Sequence, residues 1–396
     1  MIKNYHIIDT TLREGEQTPG LLFSLTEKKR ILDGLVRIGI TETELGISSK
    51  LHPCPGPLIN YCKANHPTLK LSLWSRCRLE DISHAVQLKP DILSLSVPVS
   101  DIHLRDRLQK DRLWAQKTME TSIDFARQKG LTVSIGFEDA TRSDPEFLLK
   151  MAKAAEQHGA VRIRLADTVG IASPSQITGL VTSLTKSLTG CLVAVHTHND
   201  FGMATANAIA ALEAGASSVD AVVLGLGERT GCTRLEEVVG YLSLAQGVRE
   251  LKPEFLKPLA RYVAEISGRS IAGNRPIIGD DIFTCETGLH LQGLQSKPQT
   301  YEPFSPEKVQ AERKLLFGSK SGRRAILQRM AQLNNTVNSA HSAFSEELTD
   351  EAVKAIRETA TRLRRPLSDT ELIDLLTSFI GQASIGKTHT DSIGIF

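Results

Sequence analysis

Short apolar runs alternate with longer amphipathic stretches along roughly the first 250 residues of this 396-residue chain. The runs are Ile7–Thr10, Glu42–Ile47, Leu69–Ser75, Ile92–Val97, Thr132–Glu138, Val161–Asp167, Leu192–His198 and Val219–Leu226. Between them, stretches such as Thr26–Gly39, Leu113–Gly130 and Asp144–Gly159 repeat apolar residues at intervals of three and four and close on glycine, where a helix stops. Eight such units predict a closed (β/α)8 barrel of the α/β class, because parallel strands need crossover helices and both strand faces are then buried. A doubly wound open sheet would place a glycine-rich phosphate turn after its first strand. Here that turn reads Arg13-Glu14-Gly15-Glu16, which favours the barrel.

After Gly240 the alternation ends. The pattern divides the chain into a barrel over residues 1–250, a linker subdomain over 251–318 and a helical subdomain over 319–396, so small, mainly helical subdomains follow the barrel. Helical spacing recurs at Pro253–Gly268, Glu347–Leu363 and Asp369–Phe379. The tail from Gly381 to Phe396, rich in Gly, Ser and Thr, is expected to be poorly ordered or pinned only by a partner.

A formal net charge of +2 provides no field suited to nucleic acid or an anionic membrane. No run approaches the roughly 18 apolar residues of a membrane span, and the first residues lack the apolar core of a signal peptide, so a cytoplasmic protein is expected. The six cysteines, without Cys-x-x-Cys spacing, fit reduced thiols rather than a disulfide framework.

Barrel enzymes carry their chemistry at the carboxyl ends of the strands. The polar residues there are Arg13 and Glu14 after the first strand, Arg76 after the third, Ser96 and His103 after the fourth, and Glu138 at the fifth. The sixth adds Arg164, Asp167 and Thr168, the seventh His196 and His198, and the eighth Glu228 and Arg229. Any one of these alone would read as a solvated loop residue. In an extended strand His196 and His198 point the same way about 7 Å apart, so two imidazoles can hold one divalent metal, with Glu14 the best candidate for a third ligand. Two His and one carboxylate leave positions open for substrate, as a catalytic site requires. The alternative is a His-x-His that merely caps a strand.

Four segments carry a resemblance: Asp9–Gln17, Ala166-Asp167-Thr168-Val169-Gly170, His196–Ala204 and Gly225-Leu226-Gly227-Glu228-Arg229-Thr230-Gly231. They resemble the DRE-TIM metallolyases, in the condensing branch of homocitrate, isopropylmalate and citramalate synthases, over residues 5–330. Val133–Arg142, Leu224–Gly231 and the Arg13-Glu14 pair are most similar to homocitrate synthases of the nitrogen-fixation type. The resemblance implies acetyl-CoA as co-substrate, a 2-oxo acid (2-oxoglutarate foremost) and a divalent cation, Mg, Mn or Zn, held by Glu14, His196 and His198. It also implies a homodimer in which the C-terminal part reaches the partner's active site.

The implied roles follow from the reaction, which joins the methyl carbon of acetyl-CoA to a ketone. Arg13, always charged, would stabilise the developing alkoxide. His290, in Thr287-Gly288-Leu289-His290, would belong to the machinery that takes the methyl proton, with Glu138 as its partner. Tyr301 matches a family tyrosine near the acyl-CoA site. Arg76, His103, Arg164 and Thr168 are candidate contacts for the substrate carboxylates.

The chain departs from the family pattern in places. The turn after the second strand reads Gly46-Ile47-Ser48-Ser49-Lys50-Leu51-His52-Pro53-Cys54-Pro55, and Ser134 stands where lysine-pathway homocitrate synthases carry arginine. Cys232 replaces the asparagine after Glu-Arg-x-Gly, Cys285 replaces a histidine, and Lys320 stands at another family histidine. These leave open a synthase for another 2-oxo acid (isopropylmalate-, citramalate- or phosphonate-forming), a cleaving lyase with a loop cysteine, and a catalytically silent binding relative.

Overall fold

The computed structural model describes residues 5–287, 290, 293–294, 296–326 and 346–387. Eight parallel strands close a barrel: β1 (Ile7–Asp9), β2 (Glu42–Ile47), β3 (Lys70–Arg76), β4 (Ile92–Pro98), β5 (Val133–Glu138), β6 (Arg162–Asp167), β7 (Leu192–Thr197) and β8 (Ser218–Ala221). Neighbours follow chain order, and β8 closes on β1 through the register Ile7–Val219, Ile8–Asp220 and Asp9–Ala221. The expected eighth strand stops short of Leu226. The chain leaves it for a tight turn at Val223–Gly225, where Leu224 takes φ 61° and Gly225 φ 66°.

The helices α1 (Leu25–Ile38), α2 (Gly56–Asn65), α3 (Leu79–Leu88), α4 (Arg112–Gln128), α5 (Pro145–Gln157), α6 (Pro174–Ser187), α7 (Ala204–Glu213) and α8 (Leu235–Gly240) follow the strands. Their starts are written locally. Ser24 and Glu27 form a reciprocal capping box on α1, as do Ser173 and Gln176 on α6, and Asp111 and Asp144 cap α4 and α5. Ile31, Leu32, Leu35 and Ile38 of α1 are fully buried, one stripe of the shared core between helices and strands.

Inside the barrel the filling is charged as well as small. Glu42 and Glu44, two apart on β2, face in and meet Arg162 and Arg164, two apart on β6. Such buried pairs add little net stability, yet breaking one leaves an uncompensated charge, so they specify register more than they strengthen the fold.

The barrel unit comprises Met1–Ala272 and Pro276–Ile278, so it runs past the expected limit at residue 250. The reason is α9 (Leu256–Ser267), whose Leu259 sits against Gly34 of α1 so closely that a Cβ there would lie 2.7 Å from it. The second unit comprises Gly273–Arg275 and Gly279–Phe396. It pairs two short strands, β9 (Thr284–Cys285) with β10 (Lys314–Leu315), and packs α10 (Glu346–Leu363) and α11 (Asp369–Lys387) around Phe317, Ile326, Ile356 and Leu372. Helix α11 continues past Gly381, where disorder was expected, and residues 388–396 lie outside the described ones. All six cysteines are unpaired, and no described helix is long and apolar enough to cross a membrane.

Candidate active site

The turn after β1 is tied at one atom: the amides of Arg13, Glu14 and Gly15 all donate to the carbonyl of Thr10, at 3.1, 2.8 and 3.2 Å. That knot holds Glu14 over the carboxyl end of the barrel, 3% exposed. His196 is the penultimate residue of β7 and His198 follows the strand, and the two rings bring Nε2 to Nε2 at 3.3 Å. Glu14 Oε2 stands 3.9 Å from His196 Nε2, so the three residues read from the sequence do converge. A fourth joins them. Cys232 Sγ lies 3.9 Å from His196 Nε2 and 3.7 Å from His198 Nδ1, and the four donor atoms all fall within 4.8 Å of one another.

This donor set fits a divalent ion. Glu14 Oε1 is buried and has no hydrogen-bond partner, an arrangement that is costly unless something else takes the oxygen. Burial first, and then His196, pushes His198 down to about 3, so that ring is neutral at pH 7, the form that binds a metal. Glu14 is held below the usual carboxylate range because Arg13 and the two imidazoles outweigh the effect of burial. Burial, and after it the Glu14 carboxylate, raises the Cys232 thiol well above its ordinary value.

A layer of charge beneath the cluster orients it. Asp220 of β8 accepts a hydrogen bond from His196 Nδ1 at 2.8 Å, which turns the Nε2 lone pair toward Glu14 and His198. Glu44 accepts from Arg13 Nε at 2.6 Å and from Arg164 Nη1 at 2.9 Å, and Arg164 Nε lies 3.3 Å from Asp220. Burial alone would push Glu44 up, yet Arg13 and Arg164 hold it at about 2. Arg13 also donates to Glu14. Arg164, expected at a substrate carboxylate, is 5% exposed and lies against Glu44 and Asp220, while its buried Nη2 has no hydrogen-bond partner.

A second group gathers at the ends of β4, β5 and β6. Glu138 accepts from Ser96 at 2.9 Å and from Arg107 at 2.6 Å. One wide turn of π-helix, Ile102–Arg107, presents both His103 and Arg107. Asp139, in a left-handed conformation (φ 57°), is gripped by Arg142 and Ser100 and stands 3.8 Å from His103 Nε2. The Nδ1 of His103 is buried without a partner. Thr168 Oγ1 accepts from the Asp139 amide at 2.8 Å. Arg76 is half-exposed, donates to Asp81 at 2.8 Å and is the register partner of Ser96. His290 and Tyr301 lie in the second unit, where their ring centroids come within 4.4 Å. Gly288 and Leu289 of the histidine's motif lie outside the described residues.

Sequence reasoning did not assign Glu44 and Asp220, inside strands, or Arg107 and Asp139, in the segments after them, because nothing local marks a charged residue in such places as part of a site. Cys232 did leave a signal, its departure from the asparagine after Glu-Arg-x-Gly, but no spacing tied it to His196.

A closed parallel barrel with carboxylate, imidazole and guanidinium groups convergent at its carboxyl end is an enzyme architecture. The HMGL-like family matches residues 4–261, and a "Homocitrate synthase post-HMGL domain-like" region matches residues 277–365. The chain is 38% identical to Homocitrate synthase 1 of Nostoc over 93% of this chain and 96% of that one. It is 36% identical to 2-isopropylmalate synthase 2 of Caldanaerobacter subterraneus over 96% of both, and 33% identical to the (R)-citramalate synthase of Methanocaldococcus jannaschii over 98% and 77%. Among solved structures, the HMG-CoA lyase of Bacillus subtilis superposes with a TM-score of 0.60 at 20% identity, covering 68% of this chain and 95% of that one, a likeness of fold. The chain belongs to the HMGL-like family, within the condensing branch of the DRE-TIM metallolyases, and is an acyltransferase that condenses an acyl-CoA. The relatives named here by sequence are synthases.

Proposed function

We propose that the protein condenses acetyl-CoA with 2-oxoglutarate to give homocitrate and CoA. The observation that carries this reading is the convergence of Glu14, His196 and His198 beside a fixed Arg13, in a chain similar to homocitrate synthases over nearly its whole length. Glu14, His196 and His198 would hold a divalent ion, which when bound supplies Lewis-acid polarisation of a ketone. Arg13 keeps its charge at every working pH, and Glu44 aims its guanidinium at the edge of the cluster, where a developing alkoxide needs a donor. Glu138, positioned by Arg107 and Ser96, is the carboxylate partner for proton removal from the acetyl methyl, and His290 with Tyr301 supplies the remaining acid-base groups. His103, with its unpartnered Nδ1, and Thr168 are the groups on the rim suited to a substrate carboxylate. Arg76, the register partner of Ser96, is a further candidate.

A second reading rests on the cavity of about 520 Å³ beside Arg13, walled by Leu12, Phe23, Leu45, Ile47 and the altered His52–Pro55 stretch. The apolar part of that lining, which it shares with Arg13, Glu16, Gln17 and Lys28, suits a branched aliphatic 2-oxo acid, as in isopropylmalate formation. Measuring kcat/KM for 2-oxoglutarate, 2-oxoisovalerate, pyruvate and a phosphonate-bearing 2-oxo acid, by thiol release from acetyl-CoA, decides between them. Preference for 2-oxoglutarate supports the first reading. Equal or better turnover of another acid reassigns the substrate.

A further inference from the structure

Cys232 sits 3% exposed, its sulfur within 4 Å of nitrogens on both imidazoles, in a position that the fold sets by backbone pairing. It forms an antiparallel bridge with His198, and its amide donates to the Gly225 carbonyl at 3.1 Å. The loop before it is shaped to leave room there. Gly227 turns its bare Cα toward the cluster, and a Cβ on it would lie 3.2 Å from Cys232 Sγ and 3.5 Å from Glu14 Oε1.

The spacing of the donors distinguishes between ions. Metal–ligand bonds of about 2.0–2.3 Å arranged tetrahedrally separate neighbouring donors by roughly 3.3–3.8 Å. An octahedral magnesium with bonds of about 2.0–2.1 Å brings adjacent donors to roughly 2.9 Å. With one nitrogen from each ring, His196 Nε2 stands 3.3 Å from His198 Nε2, 3.9 Å from Cys232 Sγ and 3.9 Å from Glu14 Oε2, separations at or beyond the tetrahedral spacing and wider than the octahedral one. Sulfur points the same way, since thiolate suits zinc and other borderline or soft ions, whereas magnesium takes oxygen ligands and gives up its waters reluctantly. A buried cysteine is otherwise a small apolar filler, but that role does not explain a sulfur aimed between two imidazoles and a partnerless carboxylate oxygen.

We propose that Cys232 is a fourth protein donor of this centre, that it selects a thiophilic divalent ion, zinc, cobalt(II) or iron(II), over magnesium, and that a substrate ketone would reach the ion by expanding its coordination from four to five. The proposal rests on the metal-dependent reading above and names the ion class that reading leaves open.

The test uses the full-length protein stripped of metal and titrated with cobalt(II) while its absorption is recorded. The expected result is visible d–d bands together with a near-ultraviolet sulfur-to-cobalt charge-transfer band, both saturating at one equivalent. In Cys232→Ser the charge-transfer band should vanish while the d–d bands persist, and zinc affinity should fall by roughly 10-fold or more, at least the loss that removing an outer partner brings. In Cys232→Asn magnesium should compete with zinc better than it does in the parent. If the unaltered protein shows d–d bands without the charge-transfer band, the cysteine assignment is overturned while the metal reading stands. If no cobalt binds at all, both fail. The spectrum of the unaltered protein needs no variant to fold, and Glu14→Ala with His196→Ala reports on the metal centre separately.

Discussion

Arg13 is held from two sides before any substrate arrives, by Glu44 at 2.6 Å and by Glu14. A lysine keeps the charge but loses the planar fork, so it cannot satisfy Glu44 while facing the cluster. Arg13→Lys is therefore expected to lower kcat by roughly 10²–10³-fold, the range for losing one preorganised donor, with a smaller change in KM for the 2-oxo acid. Steady-state kinetics checks this, and a thermal melt confirms folding. Asp220 acts at one remove, by fixing the His196 ring through Nδ1 at 2.8 Å. Asp220→Asn keeps its shape and should weaken metal binding by about 10–100-fold, read by calorimetric titration of the apoprotein. An unchanged affinity would show that His196 needs no orienting partner.

The segment from β8 to α8 decides whether the cluster closes. Its turn places Gly225, Gly227 and Gly231 in left-handed or otherwise glycine-favouring backbone, and Thr18 clamps it by accepting from the Gly227 amide at 2.9 Å. A Cβ on Gly231 would lie 1.8 Å from the Gly225 carbonyl oxygen, so the backbone cannot accept one without moving. Gly231→Ala should cost about 1–3 kcal/mol from conformational strain alone, and more from the displaced loop. Denaturant unfolding measures the loss, and the cobalt spectrum should degrade in parallel because Cys232 follows directly.

Across the whole molecule, buried carboxylates act with opposite signs on the pH dependence of stability. Burial pushes Glu42 up, but hydrogen bonds from His6 and Arg162 hold it at about 2, and Glu44 stands at about 2 for a similar reason. Their stabilisation is present above the unfolded value of 4.5 and is lost as the pH falls from there toward 2. Asp9 is the reverse. Burial, only partly offset by hydrogen bonds from Thr11, raises it to about 7, so its contribution is full below 3.8 and is lost as the pH rises through 7. Asp9→Asn, which does not titrate, should gain stability relative to the parent between pH 4 and 7, by at most ~1.4 kcal/mol per pH unit. Unfolding midpoints of both proteins across that interval test the sign. The homodimer that the family resemblance implies predicts a different observation at this scale. If His290 serves the partner's cluster, mixing inactive Glu14→Ala and His290→Ala proteins should restore activity that neither has alone, whereas a self-contained subunit stays inactive.

Periodicity was enough for the barrel, because a parallel strand buried on both faces and an amphipathic helix leave distinct local spacings, and each of the eight runs became a strand. It was also enough for Glu14, His196 and His198, since strand alternation and strand ends are properties of neighbouring residues. The inward pairing of Glu44 with Arg164, the partnership of Asp220 with His196 and the delivery of Cys232 to the cluster join residues 24 to 120 positions apart. Those pairings were settled only when the sheet closed and the glycine turn after β8 folded back, for no local pattern encodes which distant side chain fills a given volume.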